Sequence, residues 1–229
     1  MRTISIGDLH GHTIWKTINP SLYEKIIFLG DYVDSFDISD DQILNNLLDI
    51  LEFKKSYPNK VILLLGNHDL QYLFNYDQYG CSGYRPQMYS QLYDIYNGNK
   101  KSFQMSYQID DTIWTHAGIH QTWYDQRFSI FARDYPDLTL SEQLNLAFSK
   151  FNYYSLNDVG HRRGGHSNVG GPFWCDREEL SNNPLKGYNQ IVGHNRVKFL
   201  TKIYKHNKEI VFIDTLENDN PKFFEKNFK

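Results

Sequence analysis

Short apolar runs recur along the chain at residues 3–6, 25–29, 61–65, 112–115, 190–192 and 210–213. Each is too brief for a helix and lacks the polar alternation of a half-exposed strand, so all six read as buried strands. Helical spacing appears between them. Ser39-Asp40-Asp41-Gln42 has capping-box spacing and predicts a helix with Leu44, Leu47, Leu48 and Leu51 on one face, ended by Pro58. A second helix is expected from Thr139-Leu140-Ser141-Glu142, burying Leu144, Phe148 and Phe151. Two hairpins are expected. One pairs 103–109 with 112–115 through Asp110-Asp111, and the other pairs 199–204 with 210–213 around His206-Asn207. The pattern predicts an α/β fold, a sandwich with central β-sheets flanked by helices.

One stretch breaks the rhythm. Residues 72–107 are rich in tyrosine, and Pro86 is placed to open a helix with Tyr89, Leu92, Tyr93 and Tyr96 on one face. It reads as a helical insertion in a single domain spanning 1–229, or else as a plain connector with an aromatic core face.

Composition narrows the picture further. A chain of 229 residues suffices for one sizeable core. The formal net charge of -3, without a long run of one sign, gives no reason to expect nucleic acid as a partner. No apolar stretch approaches the roughly 20 residues of a membrane span. Strand pattern starts at Thr3, so no signal peptide is expected. Cys81 and Cys175 are too few and too far apart for a disulfide framework, and the cytoplasm is the expected compartment.

The strand runs carry the chemistry at their ends. The first five lead into Gly7-Asp8-Leu9-His10-Gly11, Gly30-Asp31-Tyr32-Val33-Asp34, Gly66-Asn67-His68-Asp69, His116-Ala117-Gly118 and Gly193-His194. Ligands in open α/β sheets bind beyond the carboxyl ends of strands, and glycine there lets the backbone turn and approach closely. A single Asp-x-His or Gly-His is weak evidence. Five such motifs in this order point to one site. Carboxylates, imidazoles and an amide oxygen suit divalent Mn, Fe or Zn, whereas a structural zinc site would show paired cysteines.

These motifs resemble the phosphoprotein phosphatase branch of the calcineurin-like metallophosphoesterase superfamily, of bacterial or phage type. The resemblance runs from Gly7 to about Asp214. It implies two divalent metal ions, with manganese favoured and iron, zinc or nickel as alternatives. Asp8 and His10 would hold the first metal, Asp31 would bridge both, and Asn67, His116 and His194 would complete the second. His68 would serve as general acid, oriented by Asp34. The reaction implied is in-line attack on phosphorus by a metal-bridging hydroxide. Two cations about 3.5–4 Å apart require a shared anion, and metal binding lowers the pKa of water, so the roles are chemically coherent. A departing alkoxide needs a proton, which a histidine kept cationic by an aspartate can give.

The chain departs from the family where the second motif ends. Ser35-Phe36 stand in place of Arg-Gly. Another arginine is expected to grip the phosphate, and Arg163 is favoured over Arg177 and Arg196 because Gly164-Gly165 follow it. His12, His120, His161 and His166 are expected to play ordinary roles.

Two likenesses bear on substrate. Asp34 and Phe173-Trp174-Cys175-Asp176 are similar to serine/threonine protein phosphatases. Gly66-Asn67-His68-Asp69-Leu70, His116-Ala117-Gly118-Ile119 and Trp123 are similar to symmetrical diadenosine tetraphosphate hydrolases. The expectation is a phosphomonoesterase acting on phosphorylated protein or a small phosphate ester. A dinucleoside polyphosphate hydrolase is the alternative. A non-catalytic phospho-ligand module is less favoured, because every matched ligand and the His68–Asp34 pair are present.

Overall fold

All six apolar runs form strands in the computed structural model, which describes residues 1–74, 80–150, 153–216, 218 and 221–229. They are β1 (Arg2–Ile6), β2 (Lys25–Phe28), β3 (Val61–Leu64), β6 (Thr112–Thr115), β7 (Asn189–Val192) and β9 (Lys208–Phe212). Shorter or more polar strands complete the set: β4 (Phe103–Gln104), β5 (Ser106–Ile109), β8 (Thr201–Lys205) and β10 (Phe224–Asn227). The chain divides into two units, each with its own five-stranded sheet.

The first unit comprises Met1–Gln104 and Thr215–Lys229. Its sheet has the order β10-β1-β2-β3-β4, with β1 to β4 parallel and β10 antiparallel to β1. Ile26, Ile27 and Phe28 are all fully buried, which explains the absence of alternation. Each such side chain contributes about 1.5–3 kcal/mol on burial. Helix α1 (Asp40–Ser56) starts at the expected capping box, Ser39 and Gln42 satisfying each other's backbone N–H groups. It packs against β3. Its buried face is set by Ile43, Asn46, Leu47, Ile50 and Leu51, so the expected stripe is turned: Leu47 and Leu51 are inside, Leu44 is half-buried and Leu48 is exposed. The reason is that Asn46, polar in sequence, enters the core by accepting from the Trp15 indole N–H at 2.9 Å. Helix α2 (Asn67–Leu73) follows β3, and α3 (Tyr89–Gly98) packs against it with Leu92 and Tyr96 buried. Pro86 opens a short 3-10 turn just before α3.

The second unit is Met105–Asp214. Its sheet runs β5-β6-β7-β9-β8, parallel across β6, β7 and β9, with antiparallel hairpins at both edges. The first hairpin is shorter than expected: Ser106–Ile109 pairs with β6, while Phe103 and Gln104 pair with β3. The second starts at Thr201, leaving Phe199 exposed outside the strand. His206 and Asn207 turn it with φ of 53° and 60°, the left-handed pair of a type I′ turn. Helix α4 (Leu140–Ser149) begins at Thr139 with the expected capping box, buries Leu144 and packs against β5. Phe148 is half-buried against Phe173, and Phe151 lies outside the described residues. Helix α5 (Arg177–Asn182) is capped by Asp176. Among the described residues no helix is long and apolar enough to cross a membrane.

Candidate metal centre

Strand register gathers the candidate ligands of the first unit. Ile6 lies beside Phe28, and Phe28 beside Leu63, so β1, β2 and β3 end at one level. Asp8, Asp31 and Asn67 follow within a few residues, and all three are buried. The turns are tight. His10, Asp31 and Asp34 have φ of 43°, 51° and 64°, an uncommon conformation that costs about 1–3 kcal/mol unless its surroundings impose it. Backbone approach is equally close. A Cβ on Gly66 would overlap Asp31 Oδ1, and one on Gly30 would overlap the Gly66 nitrogen.

Each side chain is aimed by a partner. His10 Nδ1 donates to the Val33 carbonyl at 2.9 Å, which leaves Nε2 to face Asp31 Oδ2 at 3.9 Å. Asp31 Oδ1 accepts from the His68 backbone N–H at 2.9 Å. His68 Nδ1 meets Asp34 Oδ2 at 2.9 Å. Asp34 is held in turn by the Gln71 amide and by Tyr72 Oη at 2.5 Å. Donor atoms of His10, Asp31 and His68 all lie within 4.8 Å of one another. The His10 and His68 rings meet edge to face at 5.0 Å.

Asp69 sits beneath this cluster. It accepts from the backbone N–H groups of Asp31, Tyr32 and Gly66 and from Tyr96 Oη at 2.6 Å. Burial, and then the Asp31 charge, hold its carboxyl well above the usual range. Burial alone would depress the His68 pKa, but Asp31, then Asp34 and Asp69, outweigh it and lift it to about 9. Buried carboxylates this close repel one another, and a divalent cation offsets that repulsion. The oxygen and imidazole donors fit Mn, Fe or Zn. Asp8 and Asn67 are buried just past the neighbouring strands.

In the second unit the same logic delivers imidazoles. Trp114 lies beside Ile191, so His116 and His194 follow neighbouring parallel strands at similar height. Their Nε2 and Nδ1 atoms are 3.2 Å apart, and Gly193 N–H donates to the His116 carbonyl. His194 has φ of 59° and meets Trp174 edge to face. The adjacent Asn195 is a hub: its side-chain oxygen accepts from Arg163 and from the Arg177 backbone N–H, and its amide donates to the Cys175 carbonyl. Arg163 Nε also lies 3.1 Å from Asp176, an ion pair in which that buried nitrogen makes no hydrogen bond. Arg162 pairs with Glu178.

Two of the spare histidines have defined side-chain contacts. His120 caps a helical turn by accepting from the Thr122 N–H, and His161 Nδ1 meets the Gly165 carbonyl. Sequence reasoning missed Asp69, Gln71, Tyr72 and Asn195. The first and last adjoin recognised motifs, which was the available signal. Nothing in the sequence marked Gln71 and Tyr72 as partners of Asp34.

A family model described as calcineurin-like phosphoesterase matches residues 1–223. No curated protein sequence matches the chain significantly. Among solved structures, the cold-active protein-tyrosine phosphatase of a psychrophilic Shewanella species is similar with a TM-score of 0.58 and 15% identity, covering 98% of this chain and 74% of its own. A point mutant of a cold-active protein tyrosine phosphatase gives 0.61 and 16%, with the same coverage.

Proposed function

We propose, for a chain that belongs to the calcineurin-like phosphoesterase family, a phosphomonoesterase of the serine/threonine protein phosphatase type. The chain is a hydrolytic, metal-dependent phosphoesterase; its substrate, metal and residue roles are our reading. Asp8 and His10 are assigned to a first divalent cation, Asp31 to both, and Asn67, His116 and His194 to a second. Manganese is our choice of metal. When bound, the cations would supply an activated water as nucleophile and positive charge for the phosphate oxygens.

The observation that carries the reading is the His68–Asp34 pair. Asp34 holds Nδ1, leaving Nε2 to give a proton to the departing oxygen. The Asp31, Asp34 and Asp69 charges favour the imidazolium that must give it. Such an acid matters most for serine and alkyl phosphates, whose leaving groups are strongly basic. Asp34 keeps its direction because Gln71 and Tyr72 engage both of its oxygens. Arg163 is proposed to grip the phosphate in place of the arginine missing at Ser35. The cytoplasm remains the proposed compartment, supported by two buried free cysteines.

A second reading, hydrolysis of dinucleoside polyphosphates, is favoured by the Gly66–Leu70 and His116–Ile119 segments and by Trp123, which is fully buried and donates to the Ser155 carbonyl. One panel separates the two: a phosphoserine peptide, a phosphotyrosine peptide, p-nitrophenyl phosphate and diadenosine tetraphosphate, each assayed with Mn. We expect the phosphoserine peptide to give the highest kcat/KM of the biological substrates. A clear preference for diadenosine tetraphosphate would reverse the choice, and a preference for phosphotyrosine would move the substrate class.

A further inference from the structure

We propose that residues 81–85 form a brace that positions the metal ligand Asn67 and the Asp34–His68 pair, with Cys81 as its central positioning residue. The inference rests on the roles just proposed for those three residues. A carboxamide ligates a cation only through its oxygen, and its NH2 end repels one. Asn67 must therefore be held the right way round. Its Nδ2 donates to Cys81 Sγ at 3.3 Å, and Cys81 Sγ donates back to the Asn67 carbonyl at 3.4 Å. With the amino group fixed on the thiol, the amide oxygen is turned to the opposite side.

The same segment reaches both oxygens of Asp34 through one intermediary each. Cys81 N–H donates to Gln71 Oε1 at 2.8 Å, and the Gln71 amide donates to Asp34 Oδ2. Arg85 N–H donates to Tyr72 Oη at 3.0 Å, and Tyr72 donates to Asp34 Oδ1. Tyr84 stacks on Tyr72 and fixes its ring. The Arg85 side chain then clamps the loop after Asp34. Its guanidinium donates to the Ser35 carbonyl, to the Ile38 carbonyl at 3.0 Å and to Asp40. Cys81 both touches a proposed metal ligand and feeds the Asp34 network. Buried partners of this kind typically govern metal affinity by about 10–100-fold.

The test is calorimetric titration of metal-free protein with Mn2+, without substrate, on wild type, Cys81→Ala and Cys81→Ser. Cys81→Ala should weaken one of two Mn2+ sites by about 10–100-fold. Cys81→Ser keeps a donor and an acceptor and should stay close to wild type. Should Cys81→Ala lose its cooperative melt, Cys81→Val refills the volume without either group and should show the same weakening. Wild-type isotherms in Cys81→Ala or Cys81→Val overturn the proposal, as does Cys81→Ser being as weak as Cys81→Ala. Wild type that binds no Mn2+ overturns the functional reading as well, so the two failures are distinguishable.

Discussion

The two units meet different demands. Both place candidate ligands just past parallel strands aligned in register, yet the first combines buried carboxylates with imidazoles, while the candidate ligands of the second are the imidazoles of His116 and His194. Asp31, Asp34 and Asp69 are each buried in the first unit, and each accepts at least one hydrogen bond there. That support is needed because a buried carboxylate without donors is strongly destabilising. An imidazole that binds a metal does so as a neutral donor, and burying it costs less than burying a charge. The difference teaches that each buried carboxylate must come with donors that offset its desolvation.

The contrast is sharpest at Asp31. Asp31→Asn removes the one charge assigned to both cations, so metal-dependent turnover should be abolished and at least one ion lost. His116→Asn removes a neutral donor and should lower metal affinity without the same collapse. Bound metal per chain and turnover under excess Mn decide it, and an Asp31→Asn enzyme retaining two metals would disprove the bridge.

His68→Asn tests the other charged device of the first unit. Loss on a phosphoserine peptide should be about 10²–10⁴-fold, with a clearly smaller loss on p-nitrophenyl phosphate, whose leaving group needs little protonation. Metal content should be unchanged, and Asp34→Asn should follow the pattern more mildly. Equal losses on both substrates would remove the acid role. A loss of metal would instead make His68 a ligand, in line with its donor atom lying within 4.8 Å of those of His10 and Asp31.

In the second unit Arg163→Ala should lower kcat/KM by about 10²-fold if its remaining donors stabilise charge on the phosphoryl group. Arg177→Ala and Arg196→Ala are the controls. A mild Arg163→Ala beside a damaging control would move the assignment. The smallest effects are structural. Gly66→Ala forces a Cβ against Asp31 and should cost about 3 kcal/mol, the upper end for overpacking, together with metal affinity. Gly164→Ala meets open space at φ of 78° and should cost about 1–2 kcal/mol with metal binding intact. Thermal melts with metal titrations would check both, and equal behaviour would contradict the contrast drawn between the units.

Much of this was legible in the chain itself. Apolar runs without alternation dictated buried strands, because a strand covered on both faces has no polar side to show. Capping boxes at Ser39 and Thr139 marked helix starts, since they satisfy N–H groups locally. The ligand types at strand ends pointed to a divalent metal, and the resemblance of those motifs to a known family pointed to phosphate esters. Other features depended on contacts distant in sequence. Leu48 lost its place to Asn46 because Trp15 supplied a buried hydrogen bond from 31 residues away. Phe103 and Gln104 left the expected hairpin because β3 offered backbone groups for pairing. β10 joined β1 across almost the whole chain, through a segment too polar to read as a strand. The partners of Asp34 and Asn67 were likewise decided only in three dimensions, where the direction of a donor and the burial of its acceptor are set by packing, which sequence spacing does not encode.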